Sequence, residues 1–377
     1  MNQQKSELAV LDDRIDLLNQ ALEKLQAIQI RLKEQRVLLQ ESLSVYETLA
    51  SPACRLLPPE LLGEIFLWCL PQTNYVMPSP NDCPLILTMV CRHWRAVALS
   101  TPQLWASLNV SLFRAAETSS GDFYKSWLEK AGRVPLSIRI VHDIDLSDGE
   151  EEPLLNAIQW LRPFLNQCSD LWWHGPPVQG LLDNSGQYLS RFQATTHKAD
   201  FSVSLPSPTP HLRSAVLRSL VHDLQSVRSI DMPWHQLLDL KIQFALVSSA
   251  AFLEVIGLST QLQQVSVSCV CAHVSSLPHL QPDLSTDVVN HSIRRLEVNV
   301  IRSVLGSLFA ALTLPALEEL IICFCSPEKD PWPHEQFASF ITRSKCPLKR
   351  LTIHRNKGVE SHLTEYLQML PGLKTLG

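Results

Sequence analysis

The chain has 377 residues, too many for one ordinary core, so two or three domains are expected. With 45% hydrophobic residues it is too apolar to be disordered, and a net charge of −5 without long single-sign runs excludes a protein built mainly to neutralise phosphates or anionic lipid. No apolar run approaches the ~18 residues of a membrane span. The opening MNQQKSELAVLDDR has no signal-peptide core, and ten scattered cysteines predict reduced thiols, so a cytoplasmic or nuclear protein is expected, with neither membrane nor nucleic acid as partner.

Residues 1–51 contain neither Gly nor Pro. Steps of three and four from Leu8 give Leu11, Ile15, Leu18, Leu22, Leu25, Gln29, Leu32, Arg36, Leu39, Leu43 and Tyr46. That seam is apolar except at Gln29 and Arg36, a coiled-coil pattern on a helix roughly 60 Å long. Such a helix can pair with a second copy through residues 8–46 or fold back as a single amphipathic helix. Ser51-Pro52 ends it, because Pro disfavours α geometry in its predecessor.

Two short helices follow. In RLLPPELLGEIFLW (55–68), Pro58 and Pro59 suit the first helical positions, and Leu61, Leu62, Ile65 and Phe66 share a face. In CPLILTMVCRHWRAVALSTPQLW (83–105), Leu87, Val90, Cys91, Trp94, Val97 and Ala98 form a second stripe. The Pro-rich PQTNYVMPSPND (71–82) separates them. Helices this short and this apolar cannot bury themselves fully, so a partner surface is expected.

The order Leu57-Pro58-Pro59-Glu60-Leu61-Leu62-Gly63-Glu64-Ile65-Phe66, then Val90-Cys91-Arg92-His93-Trp94-Arg95, then Ser100-Thr101-Pro102-Gln103-Leu104-Trp105 resembles an F-box of the fungal type over about 50 residues. The resemblance implies docking on a Skp-type adaptor and through it on a cullin. By position, Leu57, Pro58, Leu61, Leu62, Ile65 and Phe66 would be adaptor contacts from the first helix, while Leu87, Val90 and Trp94 are either further contacts or internal core, with core favoured for Trp94.

From residue 168 a block Φ-x-x-Φ-x-Φ recurs, starting at Cys168, Leu189, Leu212, Leu237, Leu262, Ile293, Leu317, Leu348 and Leu373. The intervals of 21, 23, 25, 25, 31, 24, 31 and 25 residues lie near those of leucine-rich repeats. The third position is polar in every copy, as expected of strands with alternate residues inside and out. VPLSIRI (134–140) reads as the opening strand, and PLLNAIQWLRPFLNQ, SAAFLEVIGL, IRSVLGSLFAAL, HEQFASFITRS and ESHLTEYLQML read as helices between strands. The expected class is α/β: an N-terminal coiled-coil helix (1–51), a small all-α F-box (52–112) and an irregular leucine-rich-repeat α/β solenoid (113–377).

An F-box followed by such repeats is a known family arrangement, to which this chain is similar. It implies that outward strand residues bind a target protein, with Trp172, His174, Arg191, Arg218, Lys241, Arg295, Glu297 and Arg350 as contacts. For any one of them a plain solvated position is the competing reading. The implied function is a non-enzymatic substrate receptor of a cullin–RING ubiquitin ligase; the alternative is a scaffold that never joins a ligase.

Phosphate-cradle and nucleophile-elbow motifs are missing from the sequence, and no cofactor is expected. His334-Glu335 lacks the second His of H-E-x-x-H. Neither Cys269, Cys271 and His273 nor Cys323 and Cys325 are completed to four ligands nearby. HDIDLSDGEEE (142–152) misplaces its Gly for a calcium loop. Neither a metal site nor catalysis is expected.

Overall fold

The computed structural model describes residues 2–49, 57–116, 118–142, 159–175, 186–196, 205, 209–219, 230, 232–243, 246–271, 287–300, 304–324, 332–354 and 362–377. The acidic segment 143–152, His273 and Cys325 lie outside the described residues. The chain divides into two units, Met1–Ile65 and Phe66–Gly377.

The first unit is dominated by α1 (Asn2–Leu49), one continuous helix, as a stretch free of helix breakers allows. Leu11, Leu18, Leu22, Leu25, Leu32, Leu39 and Leu43 of its seam are each more than half exposed. Among the described residues no helix is long and apolar enough to cross a membrane. α2 (Pro59–Trp68) begins in this unit and runs into the next. Its first turn closes with Leu62 N–H donating to Pro58 C=O at 3.0 Å, and Glu60 complements the N-terminal dipole there.

The second apolar stripe is two helices rather than the expected one, α3 (Leu87–Val90) and α4 (Arg92–Leu99). Cys91 between them is extended, at φ −158° and ψ 170°, and its sulfur accepts the Trp94 N–H at 3.4 Å. The thiol thus caps α4, while Val90, set just before the break, is turned to solvent. Val97 and Ala98 are buried, and Trp94 packs on Phe66 with ring centroids 5.0 Å apart. Trp105 lies inside, donating its indole N–H to Ala98 C=O at 2.8 Å and meeting Trp127 edge-on at 4.9 Å.

The rest is mixed α/β around one twelve-stranded sheet. Its early strands are β1 (Ser107–Ser111), then, after α5 (Leu112–Ala116) and α6 (Thr118–Lys130), β2 (Leu136–Val141), β3 (Cys168–His174), β4 (Arg191–Thr196), β5 (Ser214–Ser219) and β6 (Asp239–Gln243). The later part contains β7 (Val247–Ser248), α7 (Ser249–Leu258), β8 (Gln264–Cys271), β9 (Val288–Val289), β10 (Arg295–Val300), α8 (Val304–Ala311) and β11 (Leu312–Thr313). It ends with β12 (Glu319–Phe324), α9 (His334–Ser344), β13 (Arg350–His354), α10 (Leu363–Met369) and β14 (Thr375–Leu376).

Every described pairing is parallel, and the strand order follows the chain from β1 to β14, with β7 pairing only β8 at the side and β9–β11 forming a separate pair. The sheet opens one strand earlier than expected: Ser107 to Ser111 pair with Ser137 to Val141, so residues 134–140 supply the second strand. β1 follows directly on the Trp105 motif, and in sequence its five residues are inseparable from the helical block before it.

Register bears out the nine-fold pattern. The third positions of the blocks stand opposite one another in an unbroken row: Asp170, Arg191, Ser214, Asp239, Gln264, Arg295, Glu319, Arg350 and Thr375. The second positions continue the ladder, each N–H donating to the C=O of the equivalent residue one block earlier, from Ser190 to Ser169 through to Lys374 and Lys349. The fourth and sixth positions supply the core, among them Leu171, Phe192, Leu217, Leu240, Val267, Val298, Leu320 and Leu351. Parallel strands that follow one another in chain order are joined by crossovers, which are right-handed in nearly all sheets.

Helix ends are fastened by the following unit. Asn290 donates to the carbonyls of Ile256 and Ser259 at 3.0 and 2.8 Å, capping α7. The Arg343 guanidinium donates to Phe309, Ala310 and Leu312 carbonyls, capping α8. Otherwise unsatisfied last-turn carbonyls thus become bonds between neighbours. SAAFLEVIGL, IRSVLGSLFAAL, HEQFASFITRS and ESHLTEYLQML hold α7 to α10 as expected, and the described part of the first predicted helix is helical over 159–165.

Candidate functional site

Outward strand positions form a face with two contrasting halves. At the early half, Asp170 (β3) and Gln193 (β4) are buried although they point away from the apolar core. What covers them includes Tyr75, from the Pro-rich segment between the short helices, itself only 9% exposed. Its backbone neighbourhood is tied to β1: Val76 C=O accepts the Asn109 N–H at 2.8 Å, and the Ser107 hydroxyl bonds Asn74 C=O at 2.8 Å.

The Tyr75 hydroxyl donates to Asp170 Oδ1 at 2.8 Å and accepts from Gln193 Nε2 at 3.1 Å. Arg191 pairs with the other Asp170 oxygen at 3.1 Å, while Arg218 donates to Gln193 Oε1 at 3.1 Å and to Gln243 at 2.9 Å. Trp172 lies amid this network. Its ring is 5.6 Å from Tyr75, the Arg139 guanidinium sits 3.9 Å above its centroid and Arg218 5.2 Å away, and its N–H bonds Thr195 Oγ1 at 3.0 Å. Burial, then the Asp170 charge and hydrogen bond, hold the Tyr75 phenol far above its ordinary range, so it stays a neutral donor. Desolvation pulls Arg139 and Arg218 down from theirs.

The later half is open. Glu319 (β12) lies between Arg295 (β10) and Arg350 (β13), with nitrogen–oxygen separations of 3.1 and 2.9 Å, and Arg295 also reaches Glu297 at 3.6 Å. The Arg350 hydrogen bond is the largest influence holding Glu319 below the usual carboxylate range. At the strand entrance a parallel row joins Glu318 to Lys349 and Arg294. Fixed charges that keep one edge in water can meet a partner's charges without first breaking a core.

Of the expected target contacts, Trp172, Arg191 and Arg218 therefore gather in the network around Tyr75, with His174 half-buried on the same strand as Trp172. Arg295, Glu297 and Arg350 gather at the later half, and Lys241 stands exposed on β6. Sequence reasoning missed Tyr75 and Arg139, and placed Asp170 only as a polar third position. For Tyr75 the available signal was the one aromatic residue in a Pro-rich segment.

The expected adaptor contacts divide by burial. Leu62, Phe66 and Leu87 are buried within the chain, because short helices spend part of their apolar face on their own interior. Leu61 and Ile65 are 54% and 46% exposed, and Trp68, one further turn along α2, is 87% exposed. Pro58 is exposed and Leu57 half-buried. In the second unit, Val90 and neighbouring Met89 are exposed on α3. No protein-family model matches the chain, and no curated protein is significantly similar to it.

Proposed function

We propose that the protein is a substrate receptor of a cullin–RING ubiquitin ligase, an F-box protein with a leucine-rich-repeat-like solenoid. One observation carries the reading: a helix with the F-box sequence pattern leaves Leu61, Ile65 and Trp68, spaced i, i+4 and i+7, open to solvent. Apolar side chains at that spacing form a stripe that loses free energy when a second polypeptide covers it. The chain-ordered parallel sheet, its constant register and its strand–helix alternation support the solenoid part.

The mechanism is positional. α2 docks on a Skp-type adaptor, and the outward face holds a target protein, whose effective concentration near the ligase rises without chemistry in this chain. The exposed α1 seam pairs with a second copy, giving a receptor with two target faces.

Co-purification of the full chain with a Skp-type adaptor tests this. Leu61→Asp with Ile65→Asp weakens binding at least a hundredfold, since each apolar anchor is worth about 2 kcal/mol. Undiminished capture by the double variant removes the interface, and failure of the unmodified chain to bind any such adaptor leaves a repeat scaffold outside the ligase.

A further inference from the structure

His334 opens α9, and His362 stands just before α10. Their rings are stacked, with centroids 3.8 Å apart and planes 16° from parallel. Glu365, in the first turn of α10, brings Oε2 to 3.2 Å from His334 Nε2. One ligand atom from each of the three residues falls within 4.8 Å of the other two. On the far side of the His334 ring, Nδ1 is 2.6 Å from the Tyr366 hydroxyl, which also accepts the Trp332 indole N–H at 2.7 Å. Tyr366 and Trp332 are buried against Phe337, so they fix the His334 ring from behind.

We propose that His334, His362 and Glu365 form a divalent-metal site, with zinc the ion best suited to two imidazoles and one carboxylate. Two ligands at zinc distance on a tetrahedral ion stand about 3.3 Å apart. The His334–Glu365 pair already has that separation. With Nε2 on the metal, the His334 Nδ1–H donates to the Tyr366 oxygen, the outer-shell contact that orients metal-binding histidines. Imidazole lone pairs lie in the ring plane, so His362 turns out of its stack to aim at the same point. The fourth position is left to water.

The site clips together the α9 and α10 units, in contrast to the buried aromatic layer of Phe309, Phe337 and Phe340 beneath. No short sequence motif announces it, because the second histidine comes from the next unit.

Cobalt titration of the full chain, with Co2+ standing in for zinc, reads the ligand type directly. One equivalent gives visible d–d bands without the intense near-ultraviolet thiolate band that cysteine ligation would add. His362→Ala and the more conservative His362→Gln, each with the circular dichroism of the unmodified protein, lose those bands and bind at least tenfold more weakly. Tyr366→Phe keeps the one-to-one stoichiometry and weakens binding ten- to hundredfold. Zinc raises the melting temperature of the unmodified chain but not of His362→Gln. A chain that takes up no cobalt, shows only thiolate-type absorption, or binds equally well after either His362 substitution overturns the site.

Discussion

The two halves of the outward face show how the same strand position serves opposite ends. Asp170 and Glu319 occupy equivalent places in the register, and each pairs with an arginine on the next strand. Asp170 is roofed by Tyr75 and buried, so its carboxylate must be satisfied from several sides. Glu319 is flanked by two arginines whose outer parts stay wet. Identical chemistry is thus structural under a cover and available to a partner without one.

The comparison breaks most sharply at Tyr75. Tyr75→Ala removes the ring against Trp172 and leaves Asp170 and Gln193 short of a partner, costing about 3–5 kcal/mol in urea unfolding. Tyr75→Phe keeps the ring and costs about 1–3 kcal/mol. A loss under 1 kcal/mol for the alanine variant would mean the early half is as open as the late one.

At the other half, Arg350→Ala leaves the urea midpoint close to that of the unmodified chain, because its ion pair with Glu319 is partly solvated. A midpoint lowered as far as that of Tyr75→Ala would show that the late row too is structural.

The smallest effect is pH dependence. Glu319 has a folded pKa below its unfolded value, so its contribution is complete above the ordinary glutamate range and fades as pH falls through the lowered folded value. Unfolding free energies measured from about pH 5 down to 3 decline less steeply for Glu319→Gln, by a few tenths of a kcal/mol. Equal slopes would remove the assigned role of Arg350 in holding that carboxylate.

Much of the sheet was legible in sequence because alternation is a local property. The third-position residues from Asp170 to Thr375 were aligned by spacing alone, and the backbone pairs them in that same row. Less of the candidate site was legible. Trp172 and Arg218 were expected to face outward and do, yet Tyr75, which packs on Trp172, comes from a segment about a hundred residues before it that carries no periodic signal. Likewise Leu61 and Leu62 are neighbours of equal hydrophobicity, and nothing in their identities says that one is buried and the other left in water.

Sequence by itself determined the long uninterrupted helix, the strand repeat and the inward–outward alternation, since each follows from φ/ψ preference and the fixed periods of helix and strand. Only the tertiary structure decided the break at Cys91, the roofing of Asp170 and the meeting of His334 with His362. Those depend on which distant surfaces pack together, and packing is settled by shape and the satisfaction of buried polar groups across the whole unit, which local pattern does not encode.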